Sequence, residues 1–193
     1  MADEIEAKYR VIDHDPVRRL LRQAGAQLDQ RVLETNVFFD RPDRSLRRQD
    51  CGLRIRIARP IDNRNRLFDA EPARTTLTYK GPRREGLWKI RQEIELRITD
   101  AAAGREMLEA LGLGVMLTFE KRRESWRLNG CCVELDELPY LGSFVEIEGP
   151  AEKIPQVACT LGLADHPLEK SPYTLLLDDM ARQKGLGNEI RFP

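Results

Sequence analysis

The sequence predicts an α+β fold in which a large antiparallel sheet curls into a barrel, with a charged interior and helices packed outside. Several segments alternate charged and apolar residues with a period of two, as strands with one buried face do. These segments follow one another without regular intervening helices, which favours antiparallel pairing over βαβ units. Charges of one sign cluster on single strand faces, which is unusual for a face turned to water.

Length and charge set the broad class of the protein. The chain has 193 residues, which fits one domain, and we expect that domain to span residues 1–183, followed by a loose tail at 184–193. Lysine plus arginine and aspartate plus glutamate each total 32, so the net charge is zero. A neutral chain of this kind is not expected to bind nucleic acid or anionic membranes generally.

The cysteines and histidines give no sign of a zinc or nucleophilic site. The four cysteines form no C-x-x-C pair, which favours free thiols in a reducing cytoplasm. With no apolar run of membrane-spanning length and no signal-peptide pattern, we expect a cytoplasmic protein. His14 and His166 each stand beside an apparent helix start, and both are expected at the surface.

Capping and stop signals predict four helices, at about residues 15–25, 99–112, 150–161 and 171–185. The first begins at Asp15-Pro16, and the second places Met107, Leu108 and Leu111 on its buried side. A glycine lies at or directly after the end of each range, and glycine is the residue that most readily ends a helix.

Alternating patterns predict strands at residues 4–8, 53–58, 75–80, 89–98, 124–128, 131–138 and 143–148. Asn129-Gly130 lies between two of them and predicts a type I′ hairpin turn. The polar stretch 60–74 is expected to be a long hairpin loop that shapes the mouth of the barrel.

The charged strand faces carry same-sign pairs at i, i+2. Acidic pairs are Glu4/Glu6, Glu134/Asp136 and Glu146/Glu148, and basic pairs are Arg54/Arg56 and Lys121/Arg123. For any single strand, a half-buried sheet with its charged face in water explains the pattern. For the whole set, like charges that repel each other need a shared reason, and a barrel with these faces inward supplies one.

An inward carboxylate cluster calls for a hard divalent cation, Mg²⁺ or Mn²⁺, bound through oxygen. Clustered arginine and lysine call for a polyanion, because guanidinium forks match phosphate oxygens. Together they suit phosphoryl transfer, with phosphates held by side chains, since the sequence has no G-x-x-x-x-G-K-[ST] loop.

These residues resemble the CYTH domain, the family of triphosphate tunnel metalloenzymes. Glu4-x-Glu6-x-Lys8 is similar to the family's N-terminal signature, and further blocks follow in order: "LRIR" (53–56), "LTYKGP" (77–82), "RQEIE" (91–95), "KRR" (121–123), "VELDEL" (133–138), "LGSFVEIE" (141–148) and "KSPY" (170–173). The resemblance covers about residues 3–183 and implies a closed, eight-stranded antiparallel barrel that binds a triphosphate.

The resemblance also implies roles for individual residues. It implies metal binding by Glu4, Glu6, Asp136, Glu146 and Glu148, with Glu4, Glu6 and Lys8 as catalytic residues. It implies triphosphate binding by Lys8, Arg54, Arg56, Lys80, Arg123 and Lys170. Arg91, Lys121, Glu93, Glu95 and Glu134 are expected along the tunnel, as substrate or supporting contacts or as structural ion pairs.

Two positions depart from the family pattern. Pro172 stands where the family usually has serine directly before tyrosine, which puts a tunnel role for Tyr173 in doubt, and Asn36 replaces an acidic residue.

The resemblance leaves three hypotheses for the function of the protein. The first is a class IV adenylyl cyclase, which converts ATP to cyclic AMP and pyrophosphate. The second is a phosphatase of tripolyphosphate, thiamine triphosphate or nucleoside triphosphates. The third is a non-catalytic module that binds polyphosphate or nucleotide. The partner is then a small triphosphate, and the sequence leaves the oligomeric state open, with a homodimer as one option.

Overall fold

Eight antiparallel strands form a closed barrel in the computed structural model, which describes residues 3–68, 72–84 and 88–193. The strands are β1 (Asp3–Val11), β2 (Gln27–Asp40), β3 (Gly52–Pro60), β4 (Arg74–Lys80), β5 (Lys89–Arg97), β6 (Gly114–Leu128), β7 (Cys131–Leu138) and β8 (Gly142–Glu148). Their order around the barrel is β2-β3-β4-β5-β1-β8-β7-β6, and pairing of β2 with β6 closes it. The predicted fold class is confirmed.

Five helices accompany the barrel: α1 (Asp15–Gln23), α2 (Ser45–Arg48), α3 (Ala101–Ala110), α4 (Ile154–Thr160) and α5 (Tyr173–Lys184). Asp100 caps α3 by accepting hydrogen bonds from the amides of Ala102 and Ala103, as its position before the helix predicts. None of the helices in the described ranges is long and apolar enough to span a membrane.

The outer face of the barrel is apolar where the helices pack. Val145 and Ile147 of β8 are fully buried in the largest core cluster, together with Leu21 of α1 and Val157 of α4. Because side chains alternate along a strand, Glu146 and Glu148 of β8 point to the opposite, inner face. Helix packing outside therefore fixes the charged face inside.

One end of the barrel interior is apolar. Phe119, Leu138 and Phe144 lie two residues along their strands from Lys121, Asp136 and Glu146, so they share the inner face with those charges. They pack in one buried cluster with Leu177 and Met180 of α5. The charged cavity is therefore bounded at this end by apolar side chains and by α5.

Several predicted elements differ from the structure. Strand β2 and residues 114–123 of β6 were not predicted as strands, nor was the short helix α2. The helix expected from residue 150 begins at Ile154, since a turn precedes it. Met107 and Leu111 are each 66% exposed, and Leu108 is the buried residue of α3, so that apolar face is narrower than predicted.

The predicted hairpin turn is confirmed. Asn129 and Gly130 have φ angles of 51° and 79°, both positive as a type I′ turn requires. The loop between β3 and β4 falls where it was expected, with a bridge between Ile61 and Leu67, and its residues 69–71 lie outside the described residues.

The tail is not loose throughout, contrary to expectation. Glu189–Ile190 form a short strand, β9, parallel to β6, and Ile190 is buried in the same cluster as Phe144. The pairing is available because β7 covers β6 only from Arg122 onward, which leaves that edge free at Thr118 and Phe119.

His14 is buried, which contradicts the predicted surface position, whereas His166 is exposed as predicted. His14 Nε2 lies 2.9 Å from the carbonyl oxygen of Phe144, and because a carbonyl oxygen only accepts, Nε2–H donates this bond. Burial lowers the pKa of His14, opposed by the Phe144 bond and reinforced by the nearby Arg18.

We expect this histidine to make the protein acid-sensitive. A base whose pKa is lower when folded contributes stability above its unfolded pKa, and this contribution is lost as the pH falls through the folded pKa. Between about pH 7 and about pH 5, His14→Gln should therefore lose less stability than the wild type. Urea denaturation at both pH values checks this, and equal losses in the two proteins would contradict it.

Candidate functional site

The inner faces of the strands enclose a cavity of about 440 Å³, here called the barrel cavity. Seven of the eight strands supply at least one charged side chain to its wall, and β2 supplies Asn36 and Phe38. Of the predicted site residues, those lining it are Glu4, Glu6, Lys8, Arg54, Arg56, Lys80, Arg91, Glu93, Glu95, Lys121, Arg123, Glu134, Glu146 and Glu148. The sequence pattern thus identified most of its charged wall.

Strands β1 and β8 bring the acidic residues together. Glu6 pairs in register with Glu148, and Lys8 with Glu146. Two lysines neutralise part of this charge: Lys80 Nζ lies 2.7 Å from Glu4 Oε2, and Lys89 Nζ lies 2.5 Å from Glu6 Oε1. Lys89 was not among the predicted site residues.

The carboxylates that β1 and β8 bring together repel one another. Burial raises the pKa of Glu148 to about 7, and the charges of Glu4 and Glu6 add to the rise. Burial also raises the pKa of Glu6, followed by repulsion from Glu146. Burial and the crowding of like charges both disfavour the ionised form of a carboxyl group and so raise its pKa.

The donor chemistry of this cluster fits a hard divalent cation, since Glu4, Glu6, Glu146 and Glu148 offer carboxylate oxygens alone. Within the described ranges, however, no three histidine, cysteine, aspartate or glutamate side chains are grouped closely enough to hold a metal ion. A cation would compete with Lys80 for Glu4 and with Lys89 for Glu6. Metal binding by these four glutamates stays a prediction.

Asp136 has a different position from the one expected of a metal ligand. It is fully buried and does not line the cavity. It accepts hydrogen bonds from Lys121 Nζ at 3.1 Å, from Arg123 Nε and Nη2 at 2.6 Å each, and from Tyr173 Oη at 3.0 Å. Through these contacts Asp136 anchors the side chains of Lys121, Arg123 and Tyr173, that is, it holds them in place.

Arg123 connects Asp136 to the glutamates that line the cavity. Its guanidinium also forms ion pairs with Glu134 and with Glu146, whose Oε2 is 2.7 Å from Nη2. The surrounding carboxylates, Asp136 first, raise the pKa of Arg123 despite its burial. In turn, the charge of Arg123 lowers the pKa of Glu146 although burial opposes this, whereas burial raises the pKa of Glu134 to about 7.

Arg54 is only weakly neutralised by its neighbours on the wall. The nearest carboxylate oxygen in an ion pair is that of Glu93, 3.9 Å from Nη2, and its side chain is 12% exposed. Its buried Nε has no hydrogen-bond partner among the described residues. Burial lowers the pKa of Arg54 to about 10, and repulsion from Arg56 contributes. A buried guanidinium with so few partners is suited to bind an anion.

Tyr173 lines the cavity, which removes the doubt raised by Pro172. Pro172 is the N-cap of α5, so the helix begins at Tyr173 and turns its ring inward. Lys8 Nζ lies 4.2 Å from the ring centroid and 2.5 Å from the carbonyl oxygen of Ser171. The start of α5 therefore holds a buried lysine in place.

The remaining predicted residues, apart from Lys170, line the cavity and also bond to other side chains of the protein. Arg91 Nη2 is 2.9 Å from Asp50, and Lys80 is 3.0 Å from Glu93. Thr78 donates to Glu95 at 3.1 Å. Lys170 is exposed and lies outside the barrel cavity, along a neighbouring cavity that Lys8 also lines.

Residues of β2 contribute to the site and were missed. Glu34 is 2% exposed and lies 3.3 Å from Arg56 and 3.4 Å from Lys121. Asn36 accepts from Arg56 Nε at 3.2 Å, and Phe38 stacks on Phe119 with centroids 5.8 Å apart. The spacing of Glu34, Asn36 and Phe38 at alternate positions was the available signal.

Known proteins share both the sequence pattern and the fold. The model of the CYTH domain family matches residues 2–160. "Putative adenylate cyclase MJ0240" of Methanocaldococcus jannaschii is 29% identical over 145 residues, 75% of this chain and 75% of that protein. "Adenylate cyclase CyaB" of Aeromonas hydrophila is 26% identical over 189 residues, 91% of this chain and 88% of that protein. The solved structure of the PH1819 protein from Pyrococcus horikoshii OT3 is 29% identical, with a TM-score of 0.73, and the match covers 91% of this chain and 99% of that one.

Proposed function

Because this chain belongs to the CYTH domain family, we propose that it is an enzyme that binds a triphosphate in the barrel cavity and acts as an adenylyl cyclase. The names of the two curated relatives support the choice of reaction. The observation that carries triphosphate binding is the wall around Arg54, whose buried Nε lacks a partner among the described residues and whose closest carboxylate is 3.9 Å away.

The basic residues would bind the phosphates by charge-assisted hydrogen bonds. Arg54 and Arg56 stand side by side on β3, and Lys121 and Lys8 lie beside Tyr173. Several cations in one enclosed cavity would stabilise the negative charge that develops on a departing pyrophosphate. Arg56 and Lys121 are held in advance by the buried Glu34, so these two need little reorganisation when the substrate binds.

In the proposed reaction the 3′-hydroxyl of ATP gives up its proton to solvent, and its oxygen attacks the α-phosphorus. The bond from that phosphorus to the oxygen bridging to the β-phosphate breaks, and pyrophosphate leaves with this oxygen. A Mg²⁺ or Mn²⁺ ion bound by Glu4, Glu6, Glu146 and Glu148 would supply Lewis-acid chemistry, polarising phosphate oxygens and lowering the pKa of the hydroxyl. Lys8, Arg54 and Arg56 would orient the chain of phosphates for in-line attack.

A triphosphatase is the second candidate function. Charged side chains dominate the described wall of the barrel cavity, and they recognise phosphates whether or not a nucleoside is attached. Water in place of the 3′-hydroxyl would then hydrolyse tripolyphosphate, thiamine triphosphate or a nucleoside triphosphate.

Separation of reaction products tests the proposal. The purified protein is incubated with ATP, tripolyphosphate or thiamine triphosphate, each with Mg²⁺ or Mn²⁺. Cyclic AMP with pyrophosphate supports the cyclase, and orthophosphate from any of the three selects the triphosphatase. Binding without turnover would leave a non-catalytic module and contradict both enzymatic candidates.

Arg54→Ala is expected to weaken binding of the triphosphate more than it slows the chemical step. A hydrogen bond to a charged group contributes about 1.5–3 kcal/mol, so KM should rise roughly ten- to hundredfold. Steady-state kinetics measure this, with Arg59→Ala as the control, because Arg59 is an exposed arginine on the same strand and does not line the cavity. An unchanged KM in Arg54→Ala would remove this residue from the phosphate site.

A further inference from the structure

A second cavity lies beside Lys8, next to the barrel cavity. It has a volume of about 310 Å³, within the range of small-molecule sites, and Trp88 lines it together with the apolar residues Ala7 and Leu168. We call it the Trp88 pocket. Glu6, Lys8 and Lys89 line both this pocket and the barrel cavity, so the two cavities are adjacent.

The pocket exists because β1 changes partner along its edge. Strand β5 pairs with β1 up to Glu6, opposite Lys89. Beyond that point the edge is taken by the chain before α5, with a bridge from Tyr9 to Leu168 and a bond from the Glu169 amide to the Lys8 carbonyl at 2.7 Å. The wall therefore has a gap where one partner ends and the next begins, and Trp88 stands at its edge.

We propose that the Trp88 pocket holds the heterocyclic base of a nucleoside triphosphate whose phosphates lie in the barrel cavity. This rests on the proposed function and names its substrate class. The indole of Trp88 supplies an aromatic surface for a base, and the shared residues Lys8 and Lys89 mark the passage from base to phosphates.

The charge of the pocket favours a neutral base over a thiazolium ring. Among the described lining residues, Lys8, Lys89 and Lys170 carry positive charge, and Glu6 and Glu169 carry negative charge. Arg83 adds a further positive charge, although it also pairs with Asp50 at 2.9 Å. A permanently cationic ring would be repelled by this excess, whereas adenine or guanine would not. Tripolyphosphate has no group that needs the pocket.

The test compares Trp88→Ala and Trp88→Phe with the wild type on three substrates: ATP, thiamine triphosphate and tripolyphosphate, each with Mg²⁺. We expect Trp88→Ala to raise KM for ATP about tenfold, the usual loss for a base-stacking aromatic, and to leave KM for tripolyphosphate within about twofold. Trp88→Phe keeps an aromatic face and should recover most of the affinity for ATP. Equal losses on ATP and tripolyphosphate, or none on ATP, would overturn the proposal.

Binding to the unmodified protein provides a second measurement. The chain has two tryptophans, and Trp126 is only 4% exposed in the core. ATP should therefore change the emission of Trp88 while tripolyphosphate does not, and the change should be absent in Trp88→Phe. Emission that ATP leaves unchanged, or a stronger effect from thiamine triphosphate, would overturn the nucleobase assignment. A wild type that neither binds nor converts any of the three substrates would refute the proposed function itself.

Discussion

Replacing Asp136 with alanine is expected to destabilise the protein by about 3 kcal/mol or more, the largest stability loss of any single site variant. Asp136 is fully buried and accepts hydrogen bonds from Lys121, from Arg123 and from Tyr173. Without it, two buried cations lose their main partner while they remain out of water. Removing one member of a buried ion pair leaves an uncompensated charge, which costs far more than losing an exposed pair.

The matched control is Glu137→Ala on the same strand. Glu137 lies on the outer face, 44% exposed, and its ion pair with Arg122 has a distance of 3.3 Å. Exposed pairs contribute about 1 kcal/mol or less, so this variant should unfold at nearly the wild-type urea concentration. Asp136→Asn, which keeps the shape but removes the charge, should fall between the two. Equal stability of Asp136→Ala and Glu137→Ala would contradict the anchoring role.

Glu148→Gln is expected to reduce metal-dependent turnover by about 100-fold or more while the protein remains folded. Glu148 faces Glu6 across the β1–β8 pair and lines the barrel cavity. Burial and the charges of Glu4 and Glu6 raise its pKa to about 7, so these surroundings disfavour its negative charge. Neutral glutamine removes this repulsion, and stability in the presence of a chelator should be unchanged or higher.

Two measurements separate an effect on function from an effect on folding in this experiment. Turnover is measured with saturating Mg²⁺, and stability is measured by urea denaturation with chelator. Glu152→Gln, an exposed glutamate outside the cavity, serves as the control and should match the wild type in both. Glu6→Ala should likewise lose turnover. Turnover near the wild-type rate in Glu148→Gln would exclude Glu148 from metal binding and from catalysis.

Strands with one apolar face were predictable from sequence, and strands without one were not. In β8, Val145 and Ile147 alternate with Glu146 and Glu148, so the pattern is plain. In β6, residues 120–124 are charged on both faces: Lys121 and Arg123 point inward, while Glu120 and Glu124 pair outside with Arg191 and Arg18. Strand β2 was not predicted because its inner face carries the apolar Phe38 and its outer face the polar Thr35, so charged and apolar residues do not alternate along it.

The partners of the site residues depend on contacts far apart in sequence. Glu34 reaches Arg56 and Lys121 only because β2 lies between β3 and β6 when the barrel closes. Likewise, Asp136 is buried on the inner face because Lys121 and Tyr173 bond to it there. Its residue type alone suits a metal ligand equally well. Local alternation identified the residues on the wall, whereas their pairing required the closed barrel.

The central claim is that a triphosphate occupies the barrel cavity, and a crystal structure of Glu148→Gln grown with ATP and Mg²⁺ tests it most directly. This variant is expected to leave ATP intact. The account predicts three phosphate groups inside the barrel, within hydrogen-bond distance of Arg54 and Arg56. Phosphates bound outside the barrel, or an empty barrel in crystals whose protein binds ATP in solution, would contradict it.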